Sequence, residues 1–146
     1  MNNAGKYQQG FTLLELITVL VLVSLLVAYT QYQSGSNSWG QAQASRDDLV
    51  AALFYAQQTA MAQDGPGREI TFVAGTSSSI SVEREGTALS TLYPLSLPTG
   101  VTMSVAGGFP LTLNYDKLGR TSATVITITS NGISVDVTVN GSGYAY

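Results

Sequence analysis

The sequence predicts an α+β protein, helical at its N-terminal end and built on an antiparallel β-sheet beyond. Three observations carry that expectation. Charged residues are only 10% of the 146 residues, against roughly 25% in ordinary soluble domains, and no charged side chain separates Glu15 from Arg46. Between residues 41 and 63, small and apolar side chains recur at intervals of three and four, the period of a helix. From residue 68 onward, short runs of Val, Ile, Thr and Ser are separated by Gly, Asn and Pro, the texture of strands and turns.

The composition also excludes chemistry. With no His and no Cys, the chain has no imidazole or thiolate metal site, no Cys nucleophile and no His-based triad. No enzymatic activity, metal or cofactor is expected. The formal net charge of −3 gives no electrostatic footprint for nucleic acid. A chain of this length holds about one domain.

Residues 1–10, MNNAGKYQQG, are polar and carry one cation, Lys6. Residues 11–29 follow as FTLLELITVLVLVSLLVAY, interrupted only by Thr12, Glu15, Thr18 and Ser24. As a helix this run spans roughly 28 Å, close to the thickness of a hydrocarbon core. Three readings compete. A cleavable secretory signal calls for a shorter apolar region and a small-residue cleavage site, and Val27-Ala28-Tyr29-Thr30-Gln31 supplies neither. A plain single-pass anchor accounts for the length but not for Glu15, since a carboxylate in a membrane helix costs on the order of 3 kcal/mol. In the third reading Glu15 has a task.

That third reading rests on Gln9-Gly10-Phe11-Thr12-Leu13-Leu14-Glu15. This segment resembles the class III signal of type IV pilins and type II secretion pseudopilins. The resemblance implies a leader at 1–10, cut between Gly10 and Phe11 by prepilin peptidase, N-methylation of the new Phe11 amine, and a helix at 11–30 that is first a membrane anchor and then the filament core. It further implies a single-pass protein of the bacterial inner membrane, head in the periplasm, that later joins a pilus or pseudopilus with the help of an inner-membrane assembly platform. Elementary chemistry fits this scheme. Gly10 lets a protease approach the backbone closely, and Phe11 and Glu15 lie one helical turn apart. A buried carboxylate is tolerable when paired and expensive when alone, so Glu15, with the Phe11 amine as counter-charge, sets subunit register. Removing the leader removes Lys6 and takes the charge from 6 − 9 = −3 to 5 − 9 = −4.

Residues 31–40, QYQSGSNSWG, contain two Gly and several Ser and Asn, which disfavour helix. They predict a weakened or melted helix, either a linker or a hinge. Trp39 fits equally an interfacial anchor and filament packing. Residues 41–63 read as an amphipathic helix with Ala42, Ser45, Leu49, Ala52, Leu53, Ala56 and Ala60 on its apolar stripe. Asp64-Gly65-Pro66-Gly67 is expected to end it. Arg46-Asp47-Asp48 is either a solvated triplet or a charged subunit contact.

The head, 68–146, is expected to hold strands near 69–73, 80–85, 88–92, 101–105, 111–115, 125–129 and 133–139. Asn131-Gly132 between alternating runs predicts a tight hairpin. Gly107-Gly108 reads as a turn. Glu83 and Glu85 read as one face of a solvated hairpin edge, and Asp64, Asp116 and Asp136 lack calcium-loop spacing. The pattern over 49–61, with Leu113, Tyr115, Gly119, Ile126, Ile128, Ile133, Val135, Val139 and Gly141, is similar to minor pilins and pseudopilins of the GspH and FimT kind. Residues 45–58 look most like the MshC minor pilins of mannose-sensitive haemagglutinin (MSHA) pili. The resemblance implies a minor pilin that contributes to initiating a filament or its tip, with other major and minor pilins as partners through the N-terminal helix. The alternative is a minor pseudopilin of a type II secretion system. A DNA-binding FimT-like pilin fits less well, since no Lys or Arg follows Arg120, and no small-molecule substrate is expected.

Overall fold

A computed structural model describes residues 12–34, 37–63 and 69–146. The chain divides into two units, 1–37 and 38–146. In the first, α1 covers Leu13–Ser34. Its start is a side-chain cap: the Glu15 amide donates to Thr12 Oγ1 at 3.3 Å, and the amides of Glu15 and Leu16 both reach the Thr12 carbonyl. Thr12-x-x-Glu15 is thus the frame of a capping box. The two hydroxyls inside the apolar run do not break the helix, because each bonds back one turn. Thr18 Oγ1 donates to the Glu15 carbonyl and Ser24 Oγ to the Val21 carbonyl, both at 2.8 Å. The Leu and Val side chains of α1 are exposed on every side. Among the described residues no helix is long and apolar enough to cross a membrane. The part of α1 with described side chains, 13–29, amounts to about 25 Å of helix against the ~30 Å of a hydrocarbon core.

The second unit begins with α2, Asn37–Ala62. Residues 31–34 and 37–40, within the stretch expected to be a weakened or melted helix, are helical, and 35–36 lie outside the described residues. Propagating a helix that already exists adds one hydrogen bond per residue, which outweighs the roughly 1 kcal/mol cost of a Gly such as Gly40. All seven residues of the predicted stripe are buried, from Ala42 to Ala60. The expected helix stop at 64–67 lies outside the described residues.

Among the described residues eight strands follow, forming two antiparallel sheets. β1 (Ile70–Thr76), β2 (Ser79–Arg84), β3 (Thr87–Ala88), β4 (Leu95–Ser96) and β6 (Leu111–Tyr115) form one, in the order β3-β2-β1-β6 with β4 also pairing β2. β5 (Val101–Val105), β7 (Thr124–Ser130) and β8 (Ile133–Val139) form the other, in the order β5-β7-β8. Period-two alternation sends Phe72, Val82 and Leu113 of the first sheet and Met103, Ile128 and Val137 of the second into one core with Leu49, Leu53 and Ala56 of α2. The small residues of the stripe let the helix approach both sheets.

Two strand expectations are corrected. The strand at 88–92 shrinks to Thr87–Ala88, because Ser90 Oγ accepts the Leu92 amide and the Ser90 carbonyl the Tyr93 amide, a turn that competes with the ladder. Leu95–Ser96 pairs with β2 instead. The strand at 80–85 ends at Arg84, so Glu85 does not share a strand face with Glu83. It forms with Gly86 a two-residue turn, φ 48° and 75°, the left-handed pair that a type I′ hairpin requires. Asn131-Gly132 does the same between β7 and β8, at φ 47° and 82°, as its sequence predicts. Gly108 donates to the Val105 carbonyl in the expected turn.

Candidate functional site

The residues expected to serve processing and register cluster around the start of α1 in sequence. Gly10 and Phe11 lie outside the described residues. Glu15 stands in the first turn of α1, exposed, where the unpaired amides of a helix N-terminus favour a carboxylate. Ion pairs among the described residues include Arg46–Asp47 and Arg120–Asp116.

Thr12 caps the helix that carries Glu15, and sequence reasoning passed over it. Its signal was present as Thr-x-x-Glu directly before an apolar run. By capping α1, Thr12 fixes where the helix starts and therefore where Glu15 points.

The head offers surfaces. α2 carries a second, exposed apolar face, with Trp39 53%, Phe54 57% and Met61 51% accessible. Beside it a groove of about 370 Å³ runs between α2 and the C-terminal segment, lined by Val50, Phe54 and Gln57 on one side and Tyr144 and Ala145 on the other. Its far wall is tied down. Gln57 Nε2 donates to the carbonyls of Gly119 (3.2 Å) and Ser142 (3.0 Å). Asn140 Oδ1 accepts from the amides of Ser142 and Tyr144 and from Ser142 Oγ, and Thr138 and Tyr146 exchange two backbone bonds. Gly143 runs against the Gly119 carbonyl so closely that a Cβ there would collide with it. The rings of Tyr144 and Tyr146 stack with centroids 5.9 Å apart.

Asp116, Asp136 and Tyr115 take part in contacts within the head. Asp116 accepts the amides of Leu118 and Arg120 and the Arg120 guanidinium, which hold its carboxyl below the usual range. Asp136 accepts the Thr127 hydroxyl at 2.6 Å. Tyr115 lies in the core, where burial pushes its phenol up to about 12. Asp64 is outside the described residues. Among the described residues no group of acidic side chains could hold a metal ion.

Neither a curated protein nor a solved structure matches the chain. One family model does: the prokaryotic N-terminal methylation motif, over residues 5–29. That span contains Gly10, Phe11, Thr12 and Glu15 and most of the apolar run. The match supports a type IV pilin-like protein, and its leader implies processing by prepilin peptidase and assembly with other pilins.

Proposed function

We propose that this chain is a minor pilin of a type IV pilus of the MSHA kind, acting without catalysis. The observation that carries the reading is Gly10-Phe11-Thr12-Leu13-Leu14-Glu15 running directly into an apolar helix. In it, prepilin peptidase cuts between Gly10 and Phe11, and the Phe11 amine is methylated. The 11–30 helix holds the subunit in the inner membrane and later packs in the filament. Glu15 rejects misdocked neighbours, since a carboxylate left unpaired among apolar helices costs several kcal/mol. The β-rich head meets its neighbours through a surface poor in charge.

The MSHA assignment draws on the likeness of residues 45–58 to MshC. One observation favours the second reading, a minor pseudopilin of type II secretion: MshC-like heads often carry cysteines, and this chain has none. Both readings meet the same test. Deleting the gene in its native host is expected to lower the number of surface filaments, and sheared filaments should contain the subunit at low stoichiometry. Unchanged filaments together with a defect in protein export would transfer the assignment to the pseudopilin. Unchanged filaments and unchanged export would overturn both.

A further inference from the structure

We propose that the groove between α2 and the C-terminal segment is a binding site for an arginine, with an apolar side chain beside it, presented by a different protein. The inference goes beyond the pilin role and does not depend on it. Besides the residues already named, Asp47 and Ala51 line the groove. Asp47, Val50, Phe54 and Gln57 follow one another at steps of three, four and three, so one face of α2 carries them. That face is apolar in its middle and has a carboxylate at its N-terminal end. At about 370 Å³ the groove lies at the small end of the roughly 300–1,000 Å³ of ligand pockets. Its far wall is held by the Gln57 bonds to Gly119 and Ser142, so binding requires no ordering of that wall.

The lining selects for a donor with positive charge. Asp47, as a carboxylate, only accepts hydrogen bonds. Gln57 Nε2 already donates to two carbonyls, which uses both amide hydrogens and leaves its oxygen, an acceptor, for a visitor. Among the described residues no Lys or Arg lines the groove. An anion is therefore repelled, and a cation finds acceptors. Arginine suits the site better than lysine. Its planar fork bonds a carboxylate through two parallel N–H groups, and its stem is apolar surface of the kind that lies along Val50 and Ala51. Its guanidinium is also drawn to aromatic rings, and Phe54 and Tyr144 are each 57% exposed.

Asp47 is open to such a visitor. Its side chain is 75% exposed and its contact with Arg46 is 3.5 Å, beyond the roughly 2.7–2.9 Å of a good charge-assisted bond. Adjacent residues of a helix do not face each other, which accounts for the long contact. The arginine that fills the groove comes from another protein, because those of this chain are engaged. Among the described residues, Arg46 is the neighbour just named, Arg84 has its Nε buried, and Arg120 is held by Asp116 at 2.8 Å. With 9 acidic residues against 6 basic ones, the chain matches a basic partner better than it matches a copy of itself.

The probe is the blocked dipeptide acetyl-Leu-Arg-amide, titrated into the full-length protein in detergent micelles with methyl-labelled alanine. Its neutral counterpart carries citrulline in place of arginine. Ala51 and Ala145 line the groove and report on it, whereas Ala52 and Ala56 are buried in the core and serve as controls. The expected result is a saturable shift of the Ala51 and Ala145 methyl signals with the arginine probe, and binding about fivefold weaker with the citrulline probe. Asp47→Asn should weaken the arginine probe about fivefold and leave the citrulline probe unchanged, while Phe54→Ser should weaken both. Shifts that do not saturate, equal binding of the two probes, or indifference to Asp47→Asn would overturn the site. Self-association of the full chain that Asp47→Asn abolishes would give the groove to a second copy and overturn the foreign partner.

Discussion

The two helices of this protein are of similar length, 22 residues for α1 and 26 for α2, and they are stabilised in opposite ways. α2 spends Ala and Leu on a narrow stripe that its own sheets bury completely. Leu49, Leu53 and Ala56 are all fully inaccessible. α1 carries far more apolar surface and buries almost none of it within the described molecule. The lesson is that apolar content does not reveal which part of a chain builds the monomer. What distinguishes them is periodicity: a one-sided pattern finds its partner within the chain, and an all-round pattern needs a partner outside it.

The sharpest way to break this comparison is a matched pair of truncations. Leu53→Ala should destabilise the full chain in detergent by about 3 kcal/mol, the usual cost of a fully buried Leu with its residual cavity. Leu20→Ala should shift the same denaturation midpoint by no more than about 0.5 kcal/mol while lowering the recovery of assembled subunit. Equal costs at the two sites would show that α1 is packed within its own chain.

Gly143→Ala asks whether the wall of the α2 groove is as firmly set as the core. Its φ of +82° and the Gly119 carbonyl in the path of a new Cβ predict a loss of about 2 kcal/mol by denaturant melting. Gly141→Ala, with open space around its Cβ, should cost clearly less. Similar costs would mean that the segment yields.

A smaller effect comes from Tyr115. Burial pushes its folded phenol up to about 12, above the ordinary 10.0 of a tyrosine, so the folded state keeps its proton when the unfolded chain has lost it. Stability contributed by the neutral phenol is complete below pH 10 and is lost as pH rises toward 12. Ultraviolet titration should show a late ionisation step near pH 12, and Tyr115→Phe should remove it. A late step that survives the substitution belongs to another tyrosine.

Much of this architecture was legible in the residues. The α2 stripe, the Asn131-Gly132 hairpin and the strands at 101–105, 111–115 and 133–139 follow from period and turn chemistry, which are local. Readings failed where a local preference met a competitor. The apolar residues at 88–92 predicted a strand, yet Ser90 turns the chain. Glu15 stands out in the sequence because a carboxylate in an apolar run demands a reason. Gln57 does not, because its partners at Gly119 and Ser142 lie 62 and 85 residues away.

The central claim is that α1 is displayed for assembly after its leader is removed. Intact mass and N-terminal sequencing of the membrane-extracted protein, with and without a prepilin peptidase, test it most directly. The account predicts a chain that begins at methylated Phe11 only when the peptidase is present. A chain that still begins at Met1 in its presence, or that begins beyond Tyr29, would contradict it and remove the assembly role of Glu15.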